Sequence, residues 1–516
     1  MTSGIHHVTL ITRKVQANVD FYAGFLGLRL VKRTAGYEDV NQLHLLYGDA
    51  LGSPGTLVTF LVWEDGSPGR VGLGQISEIS LAIDPASIGF WLTRALTAGI
   101  PVEGPAEEFG EPVLRMKDPD GIIVKLVGAR GLQAPNPRQA HGIPVENAVG
   151  RIRGVTILAE DADLTRDFLA RHFGYDEASR RDATIRLLST SGDAVDLREA
   201  AGFWPGIPGT GTADHVAFRA SGMAEIEETQ AALQSSNASA TSAHDRKYFH
   251  SLYVREPGGV LIELATDAPG MTVDETPDNL GATLFFPPGS TDTEADMTSR
   301  LPQFGMPGEP RTVYRDLPFV HRLFVPPQPD GSTLVLLHGS GGNETSLLAF
   351  ARRIAPHATL LAVRGRSVEE GVPRWFRRLP DGFDHADIRA EAEAFEVFIH
   401  GAVAAYGLDL GKTIFVGHSN GANFIAAFML LHPGVVQSAA LLRPVSVLDP
   451  VPSTALHGSG VLIVAGTDDA HFERTEALAV TLRTLGADLA TVEVEAGHDM
   501  VEADIAAVSG WRGAGF

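Results

Sequence analysis

The chain of 516 residues contains no cysteine. That excludes a disulfide framework and a thiolate metal centre, and leaves His, Asp and Glu to hold any metal. Positive charge is also short: 41 Lys and Arg stand against 63 Asp and Glu, for a formal net charge of -22. A surface this acidic does not attract nucleic acid or an anionic membrane, so small molecules are the expected partners. No apolar run approaches the roughly 18 residues of a membrane span, and the chain enters a strand-like segment by Ile5 without a basic and apolar leader. A cytoplasmic enzyme is the expectation. With 44% hydrophobic and 20% charged residues the composition is that of a globular protein, and at this length the scaling of core size predicts roughly three domains.

What is present is organised around residues 213–266. Ala213-Asp214-His215-Val216-Ala217-Phe218 opens this stretch and Gly258-Gly259-Val260-Leu261-Ile262-Glu263-Leu264 closes it. Both read as short strands, the second entered through a Pro-Gly-Gly turn. His215 and Glu263 are the polar residues against these apolar runs. An unpaired buried carboxylate is costly, and a histidine and a carboxylate on two strands of one sheet can converge on a divalent metal.

The same layout recurs. Residues 4–10 form a strand with His6 and His7, followed by a helix-like segment around Asn18, Phe21 and Tyr22 and a Leu26-Gly27 turn. Residues 76–83 begin a second copy, with helix-like 88–92 and strand 121–126, and residues 153–158 a third, with Phe168, Leu169 and Phe173-Gly174-Tyr175 echoing the first. In the fourth, the helix spans about 223–233. Repeats of this period mean one supersecondary unit burying its face against a sister copy.

Each copy reads β-α-β-β-β, and residues 1 to about 303 resemble the vicinal oxygen chelate (glyoxalase/bleomycin resistance/extradiol dioxygenase) superfamily, whose paired units curl into metal-binding cups. Gly4-Ile5-His6-His7-Val8-Thr9, Leu26 to Lys32, Tyr47-Gly48-Asp49 and Pro54-Gly55-Thr56 resemble its hydroquinone-type ring-cleaving dioxygenases. So do Asp245-Arg246-Lys247-Tyr248-Phe249, Glu256-Pro257-Gly258-Gly259 and Thr272-Val273-Asp274-Glu275.

The resemblance places ligands on the first and last strands of paired copies. Copy one offers His7, and copy four offers His215 and Glu263. Copy two shows Ser77 and Ser80 and ends in Lys125, and copy three shows Val155 and Thr156, so the first copy is expected to pair with the fourth. His6 and His7 face opposite sides of a regular strand. His7 is taken as the ligand, because it precedes its apolar run as His215 does. The resemblance implies supporting roles around the metal for His6, Arg246 and Tyr253: His6 and Tyr253 would handle protons, and Arg246 would stabilise anionic charge. Two imidazoles and one carboxylate leave open positions on Fe(II), with Mn(II) the alternative, for a phenolate and the co-substrate dioxygen.

Beyond residue 266 the signals change. Residues 267–315 are rich in Pro, Gly, Thr and Asp, with Phe285-Phe286-Pro287-Pro288 and Leu301-Pro302-Gln303-Phe304 expected to pack back on the first domain. From residue 319 strands and helices alternate as in an α/β domain with a mostly parallel sheet and helices on both faces. The strand at 412–416 runs into Gly417-His418-Ser419-Asn420-Gly421, the G-x-S-x-G nucleophile elbow, before an apolar helix. Strand 460–465 precedes Asp468 and Asp469, and strand 489–494 precedes His498. The order Ser419, Asp469, His498 is that of the α/β-hydrolases, with Asp468 the second candidate for the acid. Backbone amides of Ser340 and Asn420 would form the oxyanion hole. This part resembles the carboxylesterase/phospholipase group, including at Arg374-Trp375-Phe376-Arg377-Arg378.

The expected organisation is two vicinal oxygen chelate modules at 1–130 and 131–304, a linker at 305–318 and an α/β-hydrolase at 319–516. The expected function is bifunctional: Fe(II)-dependent ring cleavage of a substituted hydroquinone, and hydrolysis of an ester, lactone or acyl product. A glyoxalase-like isomerase feeding a thioesterase is the alternative, although it wants a fourth ligand where only Thr59 stands. A metal-free binding module fused to an esterase is the third reading. A homodimer is compatible with such cups.

Overall fold

The structure, a computed structural model, describes residues 4–236, 242–289, 292–311, 314–380 and 382–515. The backbone separates into two compact units, Met1–Ser290 with Leu301–Arg311, and Thr291–Arg300 with Thr312–Phe516.

In the first unit the β-α-β-β-β layout occurs four times. Repeat one comprises β1 (Ile5–Thr12), α1 (Val15–Val19) running into a π-helical segment (Asp20–Phe25), β2 (Arg29–Ala35), β3 (Leu43–Gly48) and β4 (Leu57–Val62). Repeat two comprises β5 (Gln75–Ile83), α2 (Ile88–Thr97), β6 (Val102–Glu108), β7 (Glu111–Lys117) and β8 (Ile123–Gly128). Repeat three comprises β9 (Ile152–Ala159), α3 (Ala162–Phe173), β10 (Asp176–Arg181), β11 (Thr184–Leu188) and β12 (Ala194–Glu199). Asp161 caps the start of α3 by accepting from the Leu164 N–H, and Gly174 ends it in the left-handed region that favours glycine. Repeat four comprises β13 (Ala213–Ala220), α4 (Met223–Ser235), β14 (His244–Asp245), β15 (Phe249–Arg255) and β16 (Leu261–Pro269).

The repeats pair first with fourth and second with third. One sheet runs β14-β15-β16-β13-β1-β4-β3-β2 with β17 (Leu284–Phe285) on its edge, and the other runs β10-β11-β12-β9-β5-β8-β7-β6. At each centre two first strands meet antiparallel, β1 on β13 and β5 on β9. One hydrophobic core, drawing Val8, Phe60, Ile79, Leu126, Val155 and Phe218 among others, serves both sheets.

Register explains why, among the described residues, one cup keeps a ligand set and the other does not, and it corrects the positions compared from sequence. Thr9 pairs with His215 in the first sheet as Thr156 pairs with Glu78 in the second. Ala217 pairs with Glu263 as Ser80 pairs with Lys125. The second-sheet counterpart of His215 is therefore Glu78, neither Ser77 nor Ser80. The counterpart of His7 is Gly154, neither Val155 nor Thr156. A Cβ on Gly154 would stand 2.4 Å from the Ala194 carbonyl oxygen, so no histidine fits there. Lys125 occupies the place of the carboxylate and pairs with Glu78 at 3.0 Å and Glu108 at 2.9 Å. An ammonium group fills this cup from the protein itself.

The tail behind β16 closes over the first sheet. Lys32, buried on β2, pairs with Asp274 and Glu275, and Glu275 also accepts from the N–H groups of Gly281 and Thr283. Phe286 and Phe304 pack on the core of this unit. Between them, α5 (Glu294–Arg300) belongs to the second unit, whereas the sequence reading kept this segment with the first.

The second unit is a seven-stranded sheet. In chain order it is built from β18 (His321–Phe324), β19 (Thr333–Leu337), β20 (Thr359–Val363), β21 (Ser367–Glu369) and β22 (Val372–Arg374), the last two a side hairpin, then β23 (Arg378–Leu379) and β24 (Gly382–Phe383), a second hairpin. β25 (Thr413–His418), β26 (Ser438–Leu442), β27 (Gly460–Gly466) and β28 (Asp488–Val494) complete it. The main order is β18-β20-β19-β25-β26-β27-β28, parallel except where β18 meets β20. Continuous apolar runs such as Thr333–Leu337 are buried, as strands covered on both faces require, and two separate hydrophobic cores flank the sheet. Among the described residues no helix is long and apolar enough to cross a membrane.

Candidate functional sites

In the first unit, alternation along β1 sends His7 and Thr9 to one face, and their neighbours β13 and β16 add His215 and Glu263 beside them. Ligand atoms of His7, His215 and Glu263 lie within 4.8 Å of one another, and all three residues are buried. Glu263 Oε2 stands 3.2 Å from His7 Nε2 and 2.8 Å from His215 Nε2, and the two imidazole nitrogens are 3.3 Å apart. Glu263 Oε2 is buried with these two imidazoles beside it, while Ser251 donates to Oε1. A buried carboxylate oxygen converging with two imidazole nitrogens is a donor set that fits a divalent cation.

The surroundings hold these groups in place. Asp214 Oδ2 lies 2.6 Å from His215 Nδ1, which turns Nε2 toward Glu263. The Thr9 hydroxyl bridges His215 Nε2 at 2.9 Å and the Thr59 hydroxyl at 2.8 Å. Burial opposes a charged His215, but Asp214 and Glu263 outweigh it and raise its pKa to about 9. Burial would raise Glu263, yet His7 and His215 hold it well below the usual carboxylate range. His7 is lowered, chiefly by burial.

Of the sequence-predicted surrounding residues, Arg246 and Tyr253 line the cavity over this cluster and His6 does not. His6 is buried with its Nδ1 2.9 Å from His7 Nδ1 and its ring edge-on to Phe249. It meets the Nδ1 side of His7, whose Nε2 faces Glu263. The Arg246 guanidinium lies over the Tyr253 ring at 5.8 Å and pairs with Glu38 at 3.3 Å. Burial and Glu263 push the Tyr253 phenol well above its ordinary value, so it is a neutral donor.

The cavity holds about 310 Å³, enough for a single small ring. Its wall also includes His44 on β3, which sequence reasoning missed. His44 Nε2 is buried and without a partner, and burial, followed by His7 and His215, lowers this imidazole to about 3. Asp214 and Thr9 were missed as well. Their signal was available: Asp214 directly precedes a ligand, and Thr9 shares the strand face of His7.

In the second unit β25 runs into Ser419, the expected nucleophile. Ser419 holds φ 50 and ψ -115, a conformation that side chains rarely adopt. Its neighbours explain the flanking glycines: a Cβ at Gly417 would stand 2.7 Å from the Ala422 nitrogen, and one at Gly421 2.1 Å from the Leu337 oxygen. Ser419 Oγ lies 2.8 Å from His498 Nε2, and His498 Nδ1 lies 2.8 Å from Asp469 Oδ2. Asp469, not Asp468, meets the imidazole. Burial opposes its ionisation, but the His471 N–H and His498 hold it below the usual carboxylate range.

Asn420 opens helix α6 (Asn420–Leu431), where N–H groups have no partner within the helix. The loop carrying Ser340 adjoins it, since Gly421 packs directly on the Leu337 and His338 carbonyls. Trp375 N donates to Asn420 Oδ1 at 2.8 Å, and Arg374 donates to Ser340 Oγ at 3.0 Å. The Arg-Trp-Phe run thus braces both loops that would form an oxyanion hole. A further support was not foreseen. Arg443 pairs with Asp504, both fully buried, and donates to the Gly497 and Asp499 carbonyls on either side of His498.

Comparison with known proteins divides along the same line. The family described as the Glyoxalase/Bleomycin resistance protein/Dioxygenase superfamily matches residues 4–126 and 151–264. "Putative ring-cleaving dioxygenase MhqO" of Bacillus subtilis is 34% identical over 288 residues, 55% of this chain and 91% of its own length. Chlorohydroquinone/hydroquinone 1,2-dioxygenase of Sphingobium indicum is 31% identical over 294 residues, 54% of this chain and 89% of its own. "Putative hydrolase MhqD" of Bacillus subtilis is 35% identical over 183 residues, 35% of this chain and 92% of its own.

Proposed function

Since the chain belongs to the glyoxalase/bleomycin resistance protein/dioxygenase superfamily and continues into a hydrolase, an oxidoreductase fused to a hydrolase, we propose that it opens the ring of a hydroquinone and hydrolyses the product. The observation that carries the reading is the convergence of His7, His215 and Glu263 under a cavity sized for one ring.

We assign Fe(II) to these three side chains. The ion would supply a Lewis acid for one phenolic oxygen and the electron transfer that lets an aromatic ring react with dioxygen. The chain does the rest. Asp214 fixes His215 with Nε2 toward the ion. Tyr253 donates a hydrogen bond as a neutral phenol, and Arg246 places positive charge where the oxygen atoms become anionic. The bond between the hydroxylated carbon and its neighbour breaks, and both atoms of one dioxygen enter the product with no hydrogen lost. The hydroxylated carbon becomes a carboxylic acid and its neighbour an aldehyde. The second hydroxyl is left on the third carbon from the carboxyl group, so the product can close to a five-membered lactone. The glyoxalase-like alternative needs a further protein ligand where the Thr59 hydroxyl is bonded to Thr9.

For the hydrolase we propose a serine carboxylesterase mechanism. Ser419 attacks the acyl carbon, His498 takes its proton and returns it to the leaving oxygen, and Asp469 keeps the imidazole oriented. Amides of Ser340 and Asn420 receive the oxyanion. Lactone, ester and acyl-halide products all present the same acyl carbon. The test of the metal assignment is elemental analysis after anaerobic Fe(II) loading and desalting. Wild type should retain about one iron per chain, and Glu263→Ala should retain almost none; equal retention by both would overturn the assignment.

A further inference from the structure

We propose that His44 is the substrate-binding residue that receives the second, para hydroxyl of the hydroquinone. The inference rests on the ring-cleaving reading above and goes further, by assigning the group that distinguishes a hydroquinone from a simple phenol.

The para hydroxyls of the ring point in opposite directions, so when one oxygen faces His7, His215 and Glu263 the other must meet the far wall. That wall is β3. Thr9 on β1 aligns with Thr59 on β4 and Leu46 on β3, and His44 lies two residues beyond Leu46 on the same face. With strands about 4.8 Å apart, His44 begins roughly 10 Å across the sheet from β1, and the curl of the sheet returns its side chain to the cavity.

Several other polar groups around the cavity have partners within the protein. Asp214 holds His215, the Thr9 hydroxyl is shared by Thr59 and His215, the Tyr248 hydroxyl donates to Asp274, and Arg246 pairs with Glu38. His44 Nε2 is buried and lacks a partner. Burying an imidazole nitrogen without a hydrogen bond is unfavourable, and a hydroxyl arriving at that end of the cavity relieves it. Leu46 and Leu61 beside it present no competing donor or acceptor.

The experiment is anaerobic titration of the iron-loaded full chain with hydroquinone and with phenol, followed by protein fluorescence, for wild type, His44→Phe and His44→Gln. Iron retention, which depends on the same unit as His44, and circular dichroism report folding of each variant. Wild type should bind hydroquinone about tenfold more tightly than phenol, the equivalent of one hydrogen bond. His44→Phe should abolish that ratio while keeping phenol affinity, and His44→Gln should restore part of it. A wild-type ratio near one, or a ratio that survives undiminished in folded His44→Phe, overturns the inference and leaves ring cleavage standing if hydroquinone still drives oxygen uptake. Failure of wild type to bind either compound or to consume oxygen overturns both.

Discussion

Asp214 and Asp469 do the same physical work in the two sites: each carboxylate fixes the Nδ1 side of an imidazole so that Nε2 faces the chemistry. Their replacement should have different consequences. Asp214→Asn should weaken iron binding about 10- to 100-fold with the fold intact, measured by competition with a chelator. Asp469→Asn should lower kcat for ester hydrolysis by up to about 10⁴-fold, because the wrong tautomer of His498 is then favoured, with oxygen uptake unchanged. Asp468→Asn should do neither. The triad was legible because chain order and strand ends locate it without knowing any distance. The Glu263 side chain was legible as a carboxylate among Leu-Ile and Leu. His44 was not, since a lone histidine in Leu-His-Leu-Leu reads as an ordinary strand residue, and only the curl of the sheet turns β3 toward β13. His6, next to His7 in sequence, meets the Nδ1 side of that imidazole in space.

Among the elements, the second sheet shows a cup whose equivalent positions carry an ion-pair network. Lys125 sits among Glu78 and Glu108, and Arg115 reaches both carboxylates. Lys125→Met should destabilise the first unit by about 3–5 kcal/mol, because it strands buried carboxylates. Burial opposes the charge of Glu78 and Glu108, but Lys125 outweighs it and holds both below the usual range. Groups with depressed folded values contribute stability above their unfolded pKa of about 4 and lose it as pH falls through the folded value. Wild type should therefore lose stability steeply below about pH 4 in urea titrations, and Lys125→Met should show a shallower dependence there. The ends of the comparison were visible in the sequence at Lys125. The rest was not, because bulges in β5 and β9 shift register between Ile76 and Glu78, and only the paired sheet reveals Glu78 and Gly154 as the counterparts of His215 and His7.

At the scale of the whole molecule, the chain carries two complete residue sets on two separate units. The fourfold repeat and the change to α/β alternation were both legible, since hydrophobic period and strand-ending motifs are local signals. The assignment of α5 to the second unit was not, because a short polar helix between two apolar segments gives no sign of which core it covers. On the proposed consecutive use of one substrate, Ser419→Ala should let a ring-opened product accumulate while hydroquinone consumption continues, as followed by its ultraviolet absorption. The central claim is tested most directly by oxygen uptake of the anaerobically iron-loaded chain on addition of hydroquinone, with His215→Ala alongside. Wild type should consume one dioxygen per hydroquinone and His215→Ala none above background, with ester hydrolysis equal in the two. Uptake that is absent in iron-loaded wild type, or undiminished in His215→Ala, would contradict ring cleavage at this site.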